Sequence, residues 1–219
     1  IAEALADAAD IDVLVNNVGV MLHAHARNSA GLDTQFAVNL LNQFRLTERA
    51  IARGVLAEDA IIITVASGGM YMAPLIIAAL ATEDAGTHDG QTAYAVQKRA
   101  QVALNEHWQA AHPGRSFYVM HPGWGDTAGV KQSLPTFRRL LSPVLRNAEQ
   151  GADTIVWLAR QRPEDDSASI WFDRKARKTH AYGFTRDRSQ PTATLVEFHE
   201  QHLATSDATC GEPPRPHRC

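Results

Sequence analysis

The 219-residue chain has little cysteine, no long hydrophobic run and no excess of charge of one sign. Its two cysteines, Cys210 and Cys219, lie in a polar, proline-rich tail, which excludes a disulfide framework and favours a reducing, cytoplasmic compartment. No apolar run approaches the ~20 residues of a membrane span. The net charge of −3 argues against a general binder of nucleic acid or of anionic membranes.

The order of sequence patterns predicts an α/β fold with a parallel sheet, because strand and helix patterns alternate along the chain. The predicted strands are 12–16, 60–66, 117–120 and 169–172, and the predicted helices are 34–53, 94–111, 134–145, 148–160 and 195–203. A chain of this length fits one domain. We expect residues 1–204 to belong to that domain and residues 205–219 to form a disordered tail.

Tyr94 and Lys98 lie four residues apart in a predicted helix, so their side chains share one face. A lysine ammonium near a phenol favours the phenolate, and would lower the pKa of Tyr94 toward the range of a general acid or base. Alone, this pair is as compatible with an ordinary helix surface as with a catalytic site.

Polar residues and glycines follow each predicted strand, at the sheet edge where ligands bind in open α/β folds. The strand ends are Asn16-Asn17-Val18-Gly19, Ser67-Gly68-Gly69 and Pro122-Gly123-Trp124-Gly125-Asp126-Thr127. Asn39 lies in the predicted helix between the first two strands, in an apolar setting where a polar side chain needs a reason. We therefore expect these groups to meet the Tyr94–Lys98 helix at one crevice.

Taken in this order, these motifs resemble the short-chain dehydrogenase/reductase family, from about Asp12 to Phe172. The runs at 94–102, 121–127 and 149–157 are similar to its retinol-dehydrogenase-like branch. The resemblance implies a doubly wound, Rossmann-like parallel sheet and NAD or NADP as cofactor. It also implies hydride transfer between an alcohol and a carbonyl on a small molecule that could be lipophilic. The long gap between Ser67 and Tyr94 then indicates a substrate-side insertion from Met70 to Gly90.

The resemblance further implies a role for each matching residue. Tyr94 would exchange a proton with the substrate oxygen, and Ser67 would hydrogen-bond that oxygen. Lys98 would lower the pKa of Tyr94 and hold the nicotinamide ribose, and Asn39 would hold a water in a proton relay from Lys98. The implied cofactor-binding residues are Asn16, Asn17, Gly19, Tyr94, Lys98, Pro122, Gly123 and Thr127. No metal site is expected, because His199-Glu-Gln-His202 lacks an evident third ligand.

The family's glycine-rich loop, Thr-Gly-x-x-x-Gly-x-Gly, does not occur in this sequence. Its glycines let backbone N–H groups and a helix N-terminus approach the cofactor pyrophosphate. The chain begins at Ile1 as if within a helix, so we interpret it as a fragment that lacks this loop and the first strands. We expect the 219-residue chain alone neither to bind a dinucleotide tightly nor to turn over a substrate.

Three alternatives stay open at this stage. The chain could belong to a non-catalytic protein that uses a dinucleotide fold for binding or regulation. The basic run Arg174-Lys175-Ala176-Arg177-Lys178 could attract an acidic partner or a phosphate, although such runs are usually a solvated face. Homo-oligomerisation is neither indicated nor excluded, and no nucleic-acid partner is expected.

Overall fold

The structure is a computed structural model that describes Leu5 and residues 7–123, 146–164, 169–186 and 190–210. Its strands are β1 (Ile11–Asn16), β2 (Leu56–Val65), β3 (Ser116–Met120), β4 (Ser169–Phe172) and β5 (Lys175–Lys178). They form one sheet in the order β1-β2-β3-β4-β5. Strands β1 to β4 are parallel and β5 is antiparallel to β4, which confirms the predicted α/β class.

The helices are α1 (Thr34–Phe36), α2 (Asn42–Ala52), α3 (Gly90–Ala111), α4 (Ala148–Gln161) and α5 (Thr192–Cys210). A π-helical turn, Ala37–Leu41, joins α1 to α2 without a break. Short 3₁₀ turns lie at Gly68–Met72, Ile77–Ala79, Ala85–Thr87 and Gly183–Arg186. No helix in the described ranges is long and apolar enough to cross a bilayer.

Strand β2 lies inside the protein, with helices on both of its faces. Ile62 packs into a cluster with Phe44 of α2 and Trp108 of α3, whereas its neighbours Ile61 and Ile63 pack into a second cluster on the opposite face. All three isoleucines are fully buried, which contributes about 1.5–3 kcal/mol each. The prediction of a central strand covered on both faces is confirmed.

Helix α3 begins at Gly90, four residues before its predicted start. The Asp89 carboxylate caps it by accepting hydrogen bonds from the N–H groups of Gln91 and Thr92. A Cβ atom on Gly90 would lie only 1.8 Å from the backbone oxygen of Leu22, so glycine alone permits this approach. Glycine disfavours helix interiors, and the sequence pattern therefore concealed the true start.

Two further elements differ from the sequence predictions. Strand β5 was not predicted, because all its residues are exposed and all but Ala176 are charged. It forms through a tight hairpin in which Asp173 and Arg174 adopt positive φ angles of 51° and 57°. Helix α5 extends to Cys210, past the start of the predicted tail at Thr205, because residues 204–210 contain neither glycine nor proline. The predicted helix at 134–145 lies outside the described residues.

Candidate active site

Ser67 and Tyr94 meet at the carboxyl end of β2. The Ser67 hydroxyl hydrogen-bonds the Tyr94 phenol. Ser67 is also the N-cap of the 3₁₀ turn Gly68–Met72, and its Oγ accepts a hydrogen bond of 3.2 Å from the Gly69 N–H. This cap fixes the serine rotamer, because the backbone of the turn holds the oxygen that faces Tyr94.

Lys98 lies one helical turn after Tyr94 and is almost completely buried. Its Nζ donates a hydrogen bond of 2.9 Å to the backbone oxygen of Val65 and lies 5.5 Å from the centroid of the Tyr94 ring. Only 2% of Lys98 is exposed, and this burial lowers the pKa of its ammonium group to about 7. The ammonium group therefore loses its proton far more readily than an exposed lysine does.

The pKa of Tyr94 contradicts the predicted lowering by Lys98. Burial raises the pKa of the Tyr94 phenol above its ordinary value, and the hydrogen bond from Ser67 only partly opposes this rise. The prediction considered only the charge of a lysine ammonium near a phenol and not the burial of either group. In the structure both groups are desolvated, and desolvation disfavours the phenolate as well as the ammonium ion.

Asn39 lies in the π-helical turn and is fully buried. Its side chain hydrogen-bonds both backbone groups of Val20: Oδ1 accepts from the N–H and Nδ2 donates to the carbonyl oxygen, both at 2.8 Å. Nδ2 also donates to Oε1 of Gln97 at 2.8 Å, so both amide hydrogens are used. Single π-helical turns often occur at functional sites. The predicted relay through Asn39 stays a prediction.

Two glutamines of α3 extend this buried network, and the sequence analysis missed them. Gln97 Nε2 donates to the backbone oxygen of Leu80, which lies in the predicted insertion. Gln101 Nε2 donates to the backbone oxygen of Asn39 at 2.9 Å and to Oε1 of Gln43 at 2.6 Å. Their spacing of four residues, in register with the Tyr94–Lys98 face, was a signal that could have revealed them.

The residues that end β1 were predicted to bind cofactor, and the structure places them in different surroundings. Asn16 is buried and donates to the Thr47 hydroxyl at 3.0 Å, whereas Asn17 and Gly19 are exposed. A Cβ atom on Gly19 would lie 3.3 Å from Asn39 Oδ1 and 3.4 Å from Lys98 Nζ. Gly19 thus leaves a cradle beside the two polar groups, which fits the ribose end of a nicotinamide nucleotide.

Pro122 and Gly123 follow β3, one strand further along the same sheet edge. The Gly123 N–H donates to His121 Nδ1 at 3.3 Å, and burial lowers the pKa of His121 to about 4, which keeps that nitrogen a neutral acceptor. Gly123 has a φ of 77°, and a Cβ atom there would lie 2.8 Å from Arg146 Nε. Thr127 and Trp124 lie outside the described residues. The cofactor-binding roles stay predictions.

Arg99 is a third buried residue of α3 that the sequence analysis did not single out. It is 3% exposed, and its guanidinium donates to the backbone oxygens of Met70 and Thr179 at 2.8 Å and of Ala73 at 3.3 Å. The arginine therefore ties α3 to the turn that follows Ser67 and to the segment after β5. No group of three or more metal-ligating side chains exists in the described part of the chain.

Comparison with known proteins gives relatives of one kind. The chain is 40% identical over 199 residues to Dehydrogenase/reductase SDR family member 12 of Bos taurus, covering 87% of this chain and 61% of that protein. It is 28% identical over 159 residues to Retinol dehydrogenase 12 of Homo sapiens, covering 71% of this chain and 50% of that one. The chain thus spans about three fifths of the length of its member 12 relative. No family profile matches the chain.

Solved structures share the fold. An uncharacterized protein from Mycobacterium paratuberculosis superposes with a TM-score of 0.66 at 19% identity, covering 94% of this chain and 70% of that chain. The angucycline C-6 ketoreductase LanV, with bound NADP, superposes with a TM-score of 0.50 at 23% identity, covering 68% of this chain and 56% of that one. At these identities the superpositions show the doubly wound, Rossmann-like architecture.

Ser67, Tyr94 and Lys98 lie together at the carboxyl end of β2 in a mostly parallel sheet. The chain belongs to the short-chain dehydrogenase/reductase family. The predicted resemblance to its retinol-dehydrogenase-like branch, and within that branch to the member 12 type, is confirmed.

Proposed function

We propose that this chain carries the proton-transfer site of an NAD(P)-dependent oxidoreductase that interconverts an alcohol and a carbonyl. The observation that carries the proposal is the Ser67–Tyr94 hydrogen bond with Lys98 Nζ buried 5.5 Å from the same ring. A phenol and a hydroxyl that face one point can both bond a substrate oxygen there. If Tyr94 and Lys98 were only a pair on a helix surface, neither the burial of Lys98 nor the contact with Ser67 would be expected.

Each residue has a distinct task in this proposal. Ser67 holds the substrate oxygen and Tyr94 exchanges a proton with it, while Lys98 supplies charge below the ring and binds ribose hydroxyls. When bound, a nicotinamide dinucleotide supplies or accepts the hydride. Gly19 leaves room for its ribose beside Lys98. The NADP of the related ketoreductase structure supports this class of cofactor.

The electrostatics fit a proton donor at Tyr94. Because burial raises the pKa of Tyr94, its phenol is protonated at neutral pH and can act as a general acid toward a carbonyl oxygen. Carbonyl reduction needs a proton donor at this position, whereas alcohol oxidation needs a base. The names of the relatives, which include a retinol dehydrogenase and ketoreductases, support a small lipophilic substrate.

The test is Tyr94→Phe in the complete product of the gene, with NADPH oxidation followed by absorbance and a medium-chain aldehyde as probe. We expect kcat to fall by roughly 10²- to 10⁴-fold, because the phenol hydrogen is lost while the ring remains. NADPH affinity, measured by fluorescence titration, should change by less than about twofold. Tyr182→Phe, at an exposed tyrosine outside the site, is the matched control and should retain full activity.

One result would contradict the proposal, and a second would contradict only an expectation from the sequence. An unchanged kcat in Tyr94→Phe would favour the alternative of a non-catalytic binding protein. Saturable micromolar NADPH binding by the 219-residue chain alone would contradict only the expectation that this chain needs a glycine-rich loop to hold the pyrophosphate.

A further inference from the structure

Four exposed apolar side chains come from two segments that lie side by side. Met72, Ile76, Tyr182 and Phe184 are 69%, 36%, 54% and 55% exposed, and we call them the apolar patch. Single exposed hydrophobic residues are ordinary on a protein surface, but several gathered in one place commonly mark a contact site. Most of the large exposed apolar side chains in the described residues belong to this patch.

Hydrogen bonds hold these two segments together. The Tyr71 hydroxyl donates to the backbone oxygen of Lys178 at 2.7 Å, and the Ile77 N–H donates to Gln190 Oε1 at 2.5 Å. Buried Arg99 donates to Ala73 of one segment and to Thr179 of the other. The patch is therefore a fixed surface of the fold, formed by residues distant in sequence.

The aromatic part of the patch is rigidly presented. The rings of Tyr182 and Phe184 stack with centroids 5.8 Å apart and planes 9° from parallel. Between and after them the backbone is fixed, because the buried Thr185 hydroxyl donates to the Tyr182 backbone oxygen at 2.8 Å. More than half of each ring surface stays open to solvent although the pair is held in place.

Cations border the patch on the adjoining edge strand. Lys175, Arg177 and Lys178 of β5 are exposed, as is Arg186 after Phe184. Across the described residues, none of these four has a carboxylate within ion-pair distance, whereas Arg174 beside them pairs with Asp153. The net charge of −3 for the whole chain therefore does not describe this edge of the sheet, which is locally basic.

Met72 of the patch lies close to the candidate active site along the chain. Ser67 caps the 3₁₀ turn that ends at Met72, and a 3₁₀ helix rises about 2 Å per residue. Met72 is thus roughly 10 Å along the chain axis from the serine at the candidate active site.

We propose that the apolar patch and the β5 cations form a peripheral docking surface for an anionic phospholipid bilayer. Aromatic rings favour the interface between headgroups and acyl chains, and each nearby lysine or arginine adds attraction to anionic lipid. A bilayer fits better than an added peptide strand, because β5 is a short edge strand covered with cations, a pattern that discourages strand addition. The surface lies flat on the membrane and requires no spanning helix.

The test is vesicle co-sedimentation of the full chain, which needs neither cofactor nor substrate. We expect binding to phosphatidylcholine vesicles that contain on the order of 30 mol% phosphatidylserine, and little binding to phosphatidylcholine alone. Raising the salt from about 0.05 M to about 0.5 M should reduce binding several-fold, because the Debye length shortens.

The double variant Phe184→Ser/Arg177→Glu removes one ring and reverses one cation of the surface, and should weaken vesicle binding about tenfold. Val156→Ser/Arg160→Glu likewise replaces one exposed apolar side chain by serine and reverses one cation, at two positions of α4, and should bind as the unaltered chain does. All four substituted side chains are exposed, so circular dichroism should show unchanged folding in both variants.

Absence of binding to the anionic vesicles, or equal loss in both double variants, would overturn the proposal. A dimer without lipid, seen by analytical ultracentrifugation, would also overturn it if only Phe184→Ser/Arg177→Glu dissociated that dimer. The surface would then bind a second copy of the chain. None of these outcomes bears on the proposed hydride transfer, which Tyr94→Phe tests separately.

Discussion

The two halves of helix α3 differ in charge: the buried charged side chains, Lys98 and Arg99, lie in the first half, and the second half buries apolar side chains and the amides of Gln101 and Asn105. In the first half the buried residues include Gln97, Lys98 and Arg99, and each of these donates hydrogen bonds to backbone carbonyls of neighbouring segments. In the second half Leu104 and Trp108 pack into the apolar core. One continuous helix therefore carries the candidate chemistry at one end and anchors the fold at the other.

This contrast teaches where stability and function separate. Burying a polar or charged group costs free energy unless its hydrogen bonds are replaced, and even then the net gain is small. The buried Lys98 and Arg99 thus position groups at little benefit to stability, whereas Leu104 and Trp108 stabilise the fold through removal of apolar surface from water. Substitutions along the helix should reveal this division.

Trp108→Ala should have the largest effect on stability. Trp108 is 2% exposed, stacks near Phe44 and Phe117, and donates from Nε1 to Glu48 Oε1 at 2.6 Å. We expect the free energy of unfolding to fall by about 3–5 kcal/mol in urea denaturation. Gln91→Ala, at an exposed position of the same helix, is the control and should change it by less than about 0.5 kcal/mol. Similar losses in both variants would erase the contrast.

Lys98 should make stability depend on pH with a defined sign. The pKa of Lys98 is about 7 in the folded chain, whereas its ordinary value is 10.5. At a pH between these two values the unfolded chain therefore binds more protons than the folded chain does. The cost of burying the charged lysine lowers the free energy of unfolding in full below about pH 7. This cost disappears as the pH rises toward 10.5. The free energy of unfolding should therefore rise by on the order of 2 kcal/mol between about pH 7 and about pH 9.

The control for this pH effect is Lys98→Met, which removes the titrating group and keeps the apolar stem. Its free energy of unfolding should vary less with pH over the same range. Its activity should be lost, because the substitution removes the ammonium group. An unaltered pH slope in Lys98→Met would show that another group titrates there, and would weaken the distinction between the two halves of the helix.

Gln97→Leu should have the smallest effect of the three. The substitution leaves the Leu80 carbonyl and one Asn39 amide hydrogen without their partner, which costs about 1–2 kcal/mol. Gln91→Leu changes the same side chain at the exposed end of α3 and should be nearly neutral. A neutral result for Gln97→Leu would mean that the buried amides tolerate an apolar neighbour, and the network would then not hold Asn39 in place.

The elements that sequence predicted well are those with local signals. β2 was predictable because β-branched apolar residues favour a strand. α4 was predictable because Asn147 and Gln150 form a complete capping box at its start. The order of Asn39, Ser67, Tyr94 and Lys98 was likewise visible, since each follows a recognisable element. Their joint placement in the structure follows from the parallel sheet.

What sequence did not predict depends on distant partners. No residue pattern in the sequence marks the π-helical turn at Asn39. The hydrogen bonds of Asn39 in that turn go to Val20 and Gln97, which are distant in the chain. The direction of the Tyr94 pKa shift was wrong, because burial is a tertiary quantity that the spacing of two residues does not contain. β5 was missed because its cross-strand pairing with β4 outweighs poor strand propensity.

The order of the sheet has a consequence for how the protein is made. Each described strand pairs with the strand that precedes it in the chain, from β1 through to β5. During synthesis a new strand therefore emerges beside an edge that has already been translated, and it need not wait for any later segment. Pairing between sequence neighbours also keeps the contact order low for a parallel sheet. Assembly can thus proceed vectorially, with each strand serving as the template for the next.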